Sequence, residues 1–284
     1  MDSSAAASPA IAADGYSLIG HLAMVAGGAR WKSMSIAMFT AYFDASRRPQ
    51  AGISMAGFVS DAAQWLKFEV EWKSLLPPGI ELFHMTDFVN ARGGWEGWAG
   101  KSEKQARKRA RFIERLIDCI RRHTRQGFAS VVLEKDYRDV DSLWTLREIV
   151  GSPYGLVGIG CPGSLKKWAD KKHIDYRDIL CLLEDGDEGQ GDFISRLRKQ
   201  EFNLIPQSKK NIRRFDACDL SAWRALTIVD DGFRRQLPNT ERIFTALNQL
   251  QSVVAGKYNT TLGFLSLKKF CKAMGGERRR VVSS

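Results

Sequence analysis

The stretch Ala37-Met-Phe-Thr-Ala-Tyr-Phe-Asp44 decides the fold of this chain. The residues before Asp44 are almost wholly apolar or aromatic and include no turn former, a pattern that predicts a strand buried on both faces, as at the centre of an α/β sheet. Asp44 ends the strand, and Ser46 to Pro49 lead the chain into solvent. Sheet enzymes bind ligands and metals at such strand ends. Asp44 is therefore a candidate site residue; the alternative is that it opens a turn.

Segments further along the chain extend this prediction to a complete α/β fold. Hydrophobic periodicity and turn signals predict an antiparallel second strand, further strands and several helices. The predicted strands are Ala51 to Ser60, Ile80 to Phe88, Gly127 to Leu133, Asp178 to Glu184 and the short edge strand Asn203 to Ser208. The predicted helices are a helix that Asp61 caps and that runs to about Leu76, Lys101 to Arg125, Ser164 to Lys172, Phe193 to Glu201 and Phe215 to Val229. Glu134 to Asp141 is predicted as a polar loop.

Composition bounds the class of protein. The chain has 284 residues, 44% of them hydrophobic, which is enough for one large domain or a domain with an appendage. Its net charge of +11 indicates an anionic partner, most often nucleic acid and less often an acidic membrane surface. Five cysteines without a Cys-x-x-Cys pair favour buried free thiols over disulfides or structural zinc. The apolar run Leu18 to Gly28 is too short to cross a bilayer, so a cytoplasmic protein is expected.

The chain divides into three predicted parts. Residues 1 to 36, which are rich in Ser, Ala and Pro, are expected to form a poorly ordered extension, with a later start at Met34 or Met38 conceivable. Residues 37 to 235 hold the α/β domain. Residues 236 to 284 carry a predicted helix from Glu241 to Val254 and a basic tail.

A basic helix is the strongest candidate for a nucleic-acid contact. The window Lys101 to Arg125 contains ten Lys or Arg against three acids, which indicates either a solvated helix face or a surface that binds phosphates. The candidate phosphate-binding residues are Lys101, Lys104, Arg107, Lys108, Arg111, Lys209 and Lys210. In the preceding glycine-rich loop, Trp95 and Trp98 either contact a partner, such as a stacked base, or pack back onto the domain.

Acidic side chains recur at the ends of other elements. Glu184, Asp185 and Asp187 follow a central strand, and Asp216 and Asp219 begin the last apolar helix. A helix cap explains Asp216, whereas an acid embedded in a packed face, like Asp219, needs a cation or a hydrogen-bond partner. Hard divalent cations such as Mg²⁺ and Mn²⁺ take carboxylate ligands, and a pair of them can activate water for phosphodiester cleavage. Acids from distant segments of a basic protein thus predict a metal-dependent nuclease.

Four motifs in this order resemble a known family. The chain reads Asp44-Ala-Ser46, Phe83-His-Met-Thr-Asp-Phe88, Leu183-Glu-Asp-Gly-Asp187 and Asp216-Ala-Cys-Asp-Leu-Ser-Ala-Trp223. Between about residues 37 and 230 it is similar to the bacterial and phage family known as domain of unknown function 3800, which is grouped with the ribonuclease H-like fold. Here Ala45 and Arg47 stand where that family usually has Glu and Gly after the first strand.

The resemblance implies a mixed sheet flanked by helices and a carboxylate-bound two-metal centre that takes Mg²⁺ or Mn²⁺. It implies metal ligation by Asp44, by Glu184 or its neighbours Asp185 and Asp187, and by Asp219, with His84 and Asp87 beside the centre. His84 also fits a purely structural histidine.

Three functions are therefore expected in order of preference. The first is a metal-dependent phosphodiesterase that acts on DNA or RNA. The second is a non-catalytic nucleic-acid-binding protein of the same fold. The third is a protein-interaction component of a phage-defence or mobile-element system, with Trp95 and Trp98 in the interface.

Overall fold

A mixed sheet forms the centre of the protein. The computed structural model describes residues 39–100, 102–210, 212–230, 245–247, 259–261 and 263–279. Six strands pair in the order β5-β4-β1-β2-β3-β6. They are β1 (Phe39–Arg48), β2 (Gly52–Asp61), β3 (Gln126–Leu133), β4 (Leu180–Glu184), β5 (Leu204–Gln207) and β6 (Asn259–Thr261). The predicted extension of residues 1 to 36, Lys101 and most of the helix predicted from Glu241 to Val254 lie outside the described residues.

Strand directions confirm the predicted fold class. β1 pairs antiparallel with β2, and β2 pairs antiparallel with β3. On the other side, β4 runs parallel to β1, and β5 runs parallel to β4. This order and these directions fit a ribonuclease H-like fold, with β6 added parallel to β3 at the far edge.

Helices cover both faces of the sheet. They are α1 (Ala62–Leu75), α2 (Met85–Asn90), α3 (Glu103–His123), α4 (Glu134–Leu143), α5 (Leu146–Val150), α6 (Pro153–Lys172), α7 (Gln190–Arg198), α8 (Arg214–Val229) and α9 (Phe264–Ala273). Short 3₁₀ turns lie at Glu96–Trp98 and Tyr176–Asp178. As predicted, the Asp61 carboxylate caps α1 by accepting the Gln64 N–H. No helix in the described parts of the chain combines the length and apolar character needed to cross a membrane.

Two of the predicted elements were wrong. The strand predicted over Ile80 to Phe88 is a loop followed by α2. Met85, Phe88 and Val89 pack into the same hydrophobic layer at the spacing of a helix, which the alternation of a strand does not allow. The loop predicted at Glu134 is helix α4. Its buried side chains, Tyr137 and Val140, lie one helical turn apart, and the charged residues around them hid that spacing.

Alternation along β1 assigns side chains to two hydrophobic layers. Tyr42 points into a layer that α1, α3 and α8 cover, whereas Ala41 and Phe43 point into a layer that α6 covers. Asp44 continues on the Tyr42 side. The five cysteines are all buried and unpaired, as predicted.

Candidate metal centre

Asp44 and Glu184 lie side by side at the ends of two parallel strands. The register of β1 and β4 places Phe43 opposite Leu183, so the next residues, Asp44 and Glu184, lie together at the carboxyl edge. Both follow residues of the first hydrophobic layer, Tyr42 and Leu182, by two positions and so share that face of the sheet. Asp44 is only 1% exposed, which an isolated turn-opening aspartate would not require.

Helix α8 brings Asp219 to the same edge. The helix packs across β1 and β2, and the Cys218 thiol lies 3.2 Å from the Tyr42 carbonyl oxygen. Asp219 is 6% exposed, and its Oδ2 accepts the Met85 backbone N–H at 2.6 Å. His84 Nδ1 lies 3.6 Å from the same oxygen, with the imidazole about half exposed. The start of α2 therefore holds the Asp219 carboxylate in place.

Lys209 joins the three acids. Its Nζ lies 3.0 Å from Asp44 Oδ2, 3.8 Å from Glu184 Oε2 and 3.9 Å from Asp219 Oδ1. Carboxylates from three distant parts of the sequence thus share one ammonium group; we call these four residues the acid cluster. The sequence pattern placed Lys209 among the surface lysines, but its side chain is only 8% exposed. Its neighbour Lys210 is the exposed member of the pair.

Burial and neighbouring charges shift the pKa values of Asp44 and Lys209. Burial raises the pKa of Asp44 well above its ordinary value; Lys209 opposes this effect, and the nearby Glu184 and Asp219 add to it. Burial alone would lower the pKa of Lys209, but the surrounding carboxylates outweigh burial and raise it. Lys209 is therefore charged at neutral pH.

The donor chemistry of the acid cluster suits a hard divalent ion, although the Lys209 ammonium group lies among the donors. All three acids offer oxygen ligands, which Mg²⁺ and Mn²⁺ prefer. Among the described residues, however, one group of three potential metal ligands has ligand atoms that all lie within 4.8 Å of one another. That group lies elsewhere, at Glu71, Cys119 and His123. The acid cluster is not such a group, and the Lys209 ammonium group lies among its oxygens.

Asp216 helps to hold together the elements around the acid cluster. It is fully buried, and its Oδ2 accepts the Trp72 indole N–H at 3.1 Å and the Phe83 backbone N–H at 3.0 Å. Burial raises its pKa to about 7, against the opposing effect of these donors and of Lys209. Its carboxylate thus links α8 to α1 and to the loop before α2, instead of capping its own helix as the sequence suggested.

The other predicted site residues lie around the cluster. Asp185 and Asp187 are in the exposed loop after β4. Partial burial of its carboxyl and the charge of Asp44 raise the pKa of Asp187 to about 6. Asp87 lies in the first turn of α2 beside Gly93, and within the described residues it makes no hydrogen bond or ion pair with the acid cluster.

Ala45 does not face the acid cluster. Successive side chains of a strand point to opposite faces, and Ala45 packs with the second hydrophobic layer. The departure from the family pattern at this position therefore leaves the positions of Asp44, Glu184 and Asp219 intact.

A basic groove lies along the first half of α3. It has a volume of about 840 Å³, and Leu75, Pro77 and Trp98 form part of its wall. Five basic side chains also line it: Lys104, Arg107, Lys108, Arg111 and Arg115. Lys108 Nζ lies 4.0 Å from the centre of the Trp98 ring. Arg107 pairs with Glu103, whereas the other four have no ion pair within the described residues.

The two tryptophans of the glycine-rich loop have different environments. Trp95 is 1% exposed and packs among Phe83, Phe88 and Phe112, so it belongs to the core. Trp98 is partly buried and lines the basic groove. An interface built on both rings is therefore excluded in this conformation.

Sequence reasoning missed a second polar cluster. Cys119 and His123 lie one turn apart on α3, and His123 Nε2 is 2.8 Å from Glu71 Oε2 on α1. Gln64 Oε1 contacts the other ring nitrogen at 3.1 Å, and Arg122 pairs with Glu71. The four-residue spacing of Cys119 and His123 was the available signal, but the partner on α1 was not recognisable from sequence.

No protein family model matches the sequence of this chain, and no curated protein matches it significantly. The similarity to the family of unknown function described above stays a prediction.

Proposed function

We propose that this protein is a divalent-metal-dependent phosphodiesterase that acts on DNA or RNA. The observation that carries the proposal is the meeting of Asp44, Glu184 and Asp219 around Lys209 at the carboxyl edge of a central strand pair. Ligand sites of α/β proteins lie at such edges. Bringing three acids together, with Asp44 and Asp219 buried, is unfavourable for a purely structural purpose. A buried carboxylate with a raised pKa at a sheet edge, as at Asp44, is typical of a functional site.

In this proposal, Asp44, Glu184 and Asp219 hold Mg²⁺ or Mn²⁺. When bound, such an ion supplies Lewis-acid activation of water and charge compensation at phosphorus. The chain itself contributes orientation, since the Met85 N–H fixes one oxygen of Asp219. His84, half exposed and 3.6 Å from that oxygen, is placed to exchange protons between solvent and the site.

The basic groove supports a nucleic-acid substrate. Four of its cations have no acidic partner in the described part of the chain, so phosphates would meet little competition there. One continuous segment connects the groove to the acid cluster. Met85, at one end of the segment, donates to Asp219, and Trp98, at the other end, lines the groove. Arg109 fixes the middle of the segment by donating to the carbonyls of Phe88 and Val89 at 2.6 and 2.9 Å.

The test is cleavage of single- and double-stranded DNA and RNA by purified full-length protein, with Mg²⁺, with Mn²⁺ and with chelator. Asp44→Asn keeps the shape of the side chain and removes its charge, so it is expected to abolish metal-stimulated cleavage. Asp170→Asn removes an exposed acid on α6 and is the matched control. Unchanged cleavage by Asp44→Asn would contradict the proposal.

The groove also favours a second candidate function, nucleic-acid binding without catalysis. Binding would then persist in chelator and weaken steeply with salt, while no cleavage would appear with any divalent ion.

A further inference from the structure

Glu71, Cys119 and His123 lie together where helices α1 and α3 pack against each other. Each contributes one potential ligand atom, a carboxylate oxygen, a thiol sulfur or an imidazole nitrogen, and these atoms lie within 4.8 Å of one another. We infer that these three residues, which we call the helix-pair site, bind a single Zn²⁺ ion. The site shares no residue with the acid cluster, so its occupancy does not depend on the proposed function.

The donor set of the helix-pair site selects the kind of ion. Sulfur, imidazole nitrogen and carboxylate oxygen together suit Zn²⁺, whereas Mg²⁺ and Mn²⁺ prefer oxygen ligands. Zinc–ligand bonds of about 2.0 to 2.3 Å place tetrahedral donors about 3.3 to 3.6 Å apart. The 2.8 Å between His123 Nε2 and Glu71 Oε2 and the outer limit of 4.8 Å bracket that separation. Small shifts of the side chains therefore bring three ligands onto one ion, with water in the fourth position.

The Cys119 thiol points into the helix-pair site without a partner of its own. Cys119 is 0% exposed and makes no hydrogen bond within the described residues. It lies four residues before His123 on α3, so both side chains share the helix face that packs against α1. A buried thiol that serves only as a small apolar side chain does not need a histidine and a carboxylate beside it.

Gln64 orients the imidazole of His123. Gln64 Oε1 lies 3.1 Å from Nδ1, and an amide oxygen that accepts there fixes the proton on Nδ1. The lone pair of Nε2 then faces the Glu71 carboxylate oxygen at 2.8 Å. Two acceptors at this distance need a cation between them, which is either a metal ion or a proton on Nε2. An outer acceptor that orients a ligand histidine is typical of protein metal sites.

The surroundings of the helix-pair site favour a bound cation. Helix α3 ends at His123, and the negative end of the helix dipole attracts positive charge there. The Ser60 hydroxyl donates to the His123 carbonyl at 2.6 Å and so anchors this last turn. Arg122 pairs with Glu71 through Oε1, which leaves Oε2 facing His123. The Arg122 side chain is 54% exposed, so solvent screens its repulsion of an ion.

The position of the helix-pair site in the fold assigns the ion a structural role. Ser60 on β2 pairs with Thr40 on β1, and Asp44 lies four residues further along β1, about 13 Å away. A Zn²⁺ ion beside His123 links α1 to α3 at a distance from the acid cluster. The missing Cys-x-x-Cys pair argues against a zinc site built mainly from cysteines, whereas this site needs only one.

The experiment titrates Co²⁺ into untagged full-length protein and follows the absorption spectrum. Co²⁺ replaces Zn²⁺ at such sites, and a thiolate ligand gives it a charge-transfer band in the near ultraviolet. We expect one equivalent of Co²⁺ to produce this band, and Zn²⁺, but not an excess of Mg²⁺, to remove it. Absence of the band from folded wild-type protein in excess Co²⁺ would overturn the inference. The contact of His123 with Glu71 would then be a metal-free link between helices, with a proton on Nε2.

Three variants identify the ligand. Cys119→Ser removes the sulfur and should lose the charge-transfer band. Cys271→Ser removes another buried thiol and should keep the band. Asp44→Asn should also keep it, because the acid cluster offers no sulfur. A band that persists in folded Cys119→Ser would assign the ion to a different thiol and overturn the inference.

Thermal unfolding and two further variants give an independent measurement. Zn²⁺ at about 100 times its Kd should raise the Tm of the wild type by about 5 to 10 °C, because it binds the folded state. If Cys119→Ser does not fold, Glu71→Gln and His123→Gln take its place, since both side chains are partly exposed. Each should bind Co²⁺ at least about tenfold more weakly than the wild type. Wild-type Co²⁺ affinity in both folded variants would overturn the inference.

Discussion

Lys209 Nζ lies 3.0 Å from Asp44 Oδ2, and the two side chains are only 8% and 2% exposed. This pair connects the segment after the edge strand β5 to the central strand β1. A buried pair of this kind is weak evidence of net stabilisation, because the loss of hydration offsets the attraction. Removal of one partner is destabilising, because the charge of the other partner then stays buried without compensation.

The first prediction follows from that asymmetry. Lys209→Met leaves Asp44, Glu184 and Asp219 without their shared cation, and should lower the free energy of unfolding by about 3 to 5 kcal/mol in chelator. Mn²⁺ should restore part of the loss by supplying positive charge to the folded state alone. Urea unfolding with and without metal measures both effects. Lys210→Met, at the exposed neighbouring position, is the control and should behave like wild type; equal stability of the two variants in chelator would contradict the prediction.

The second prediction concerns pH and Asp216. Burial raises its folded pKa from 3.8 to about 7, so the folded state retains a proton that the unfolded state has already released. Stability should therefore fall as pH rises between about 4 and 7, by up to about 4 kcal/mol from this group, and then level off. Asp216→Asn removes the ionisation while its amide oxygen still accepts from Trp72 and Phe83.

Unfolding in metal-free buffer at pH 5 and pH 8 tests this difference. The wild type should lose more stability between the two values than Asp216→Asn does. The exposed substitution Asp170→Asn should leave the wild-type pH dependence unchanged. Parallel pH profiles for the wild type and Asp216→Asn would show that Asp216 is ionised in the folded protein throughout.

The third prediction concerns the basic groove. Replacing Lys104, Lys108 and Arg111 together by Ala removes three cations that have no acidic partner in the described chain. Affinity for DNA or RNA should fall, and the slope of log K against log salt should become shallower by about 2 to 3. Fluorescence anisotropy with labelled single and double strands, over a salt series, measures both quantities.

A charge-matched control uses the opposite face of the sheet. Lys167, Lys171 and Lys172 on α6 are exposed, and their joint replacement by Ala changes the net charge by the same amount. If the control variant loses as much affinity as the groove variant, binding follows overall charge and the groove has no special part in it.

The sequence predicted the acids of the site but not the buried lysine among them. The apolar runs before Asp44 and Glu184 indicate buried strands, and an acid at the end of each run was therefore expected at the sheet edge. Asp219 was expected to need a partner because its neighbours on α8 are apolar. These inferences depend on local patterns that the fold preserves.

Lys209 could not be found in this way. A Lys-Lys pair after an edge strand is typical of a surface, but the first of the two is buried beside Asp44, which is far away in sequence. The same limit applies to Asp216, whose partners Trp72 and Phe83 are far away in sequence. Long-range contacts of single polar side chains leave no periodic signal.

The fourth prediction tests whether the family pattern at position 45 bears on the metal. Ala45→Glu would restore the acid usual in the family, but on a strand this side chain points away from Asp44 and towards the second hydrophobic layer. Mn²⁺ stoichiometry should stay the same and affinity should change by less than about twofold, which is below about 0.5 kcal/mol. Stability should fall modestly, because a charge is placed at a half-buried position. A gain of a second Mn²⁺ in calorimetric titration would mean that the strand end turns residue 45 towards the acid cluster, and that the missing Glu is a lost ligand.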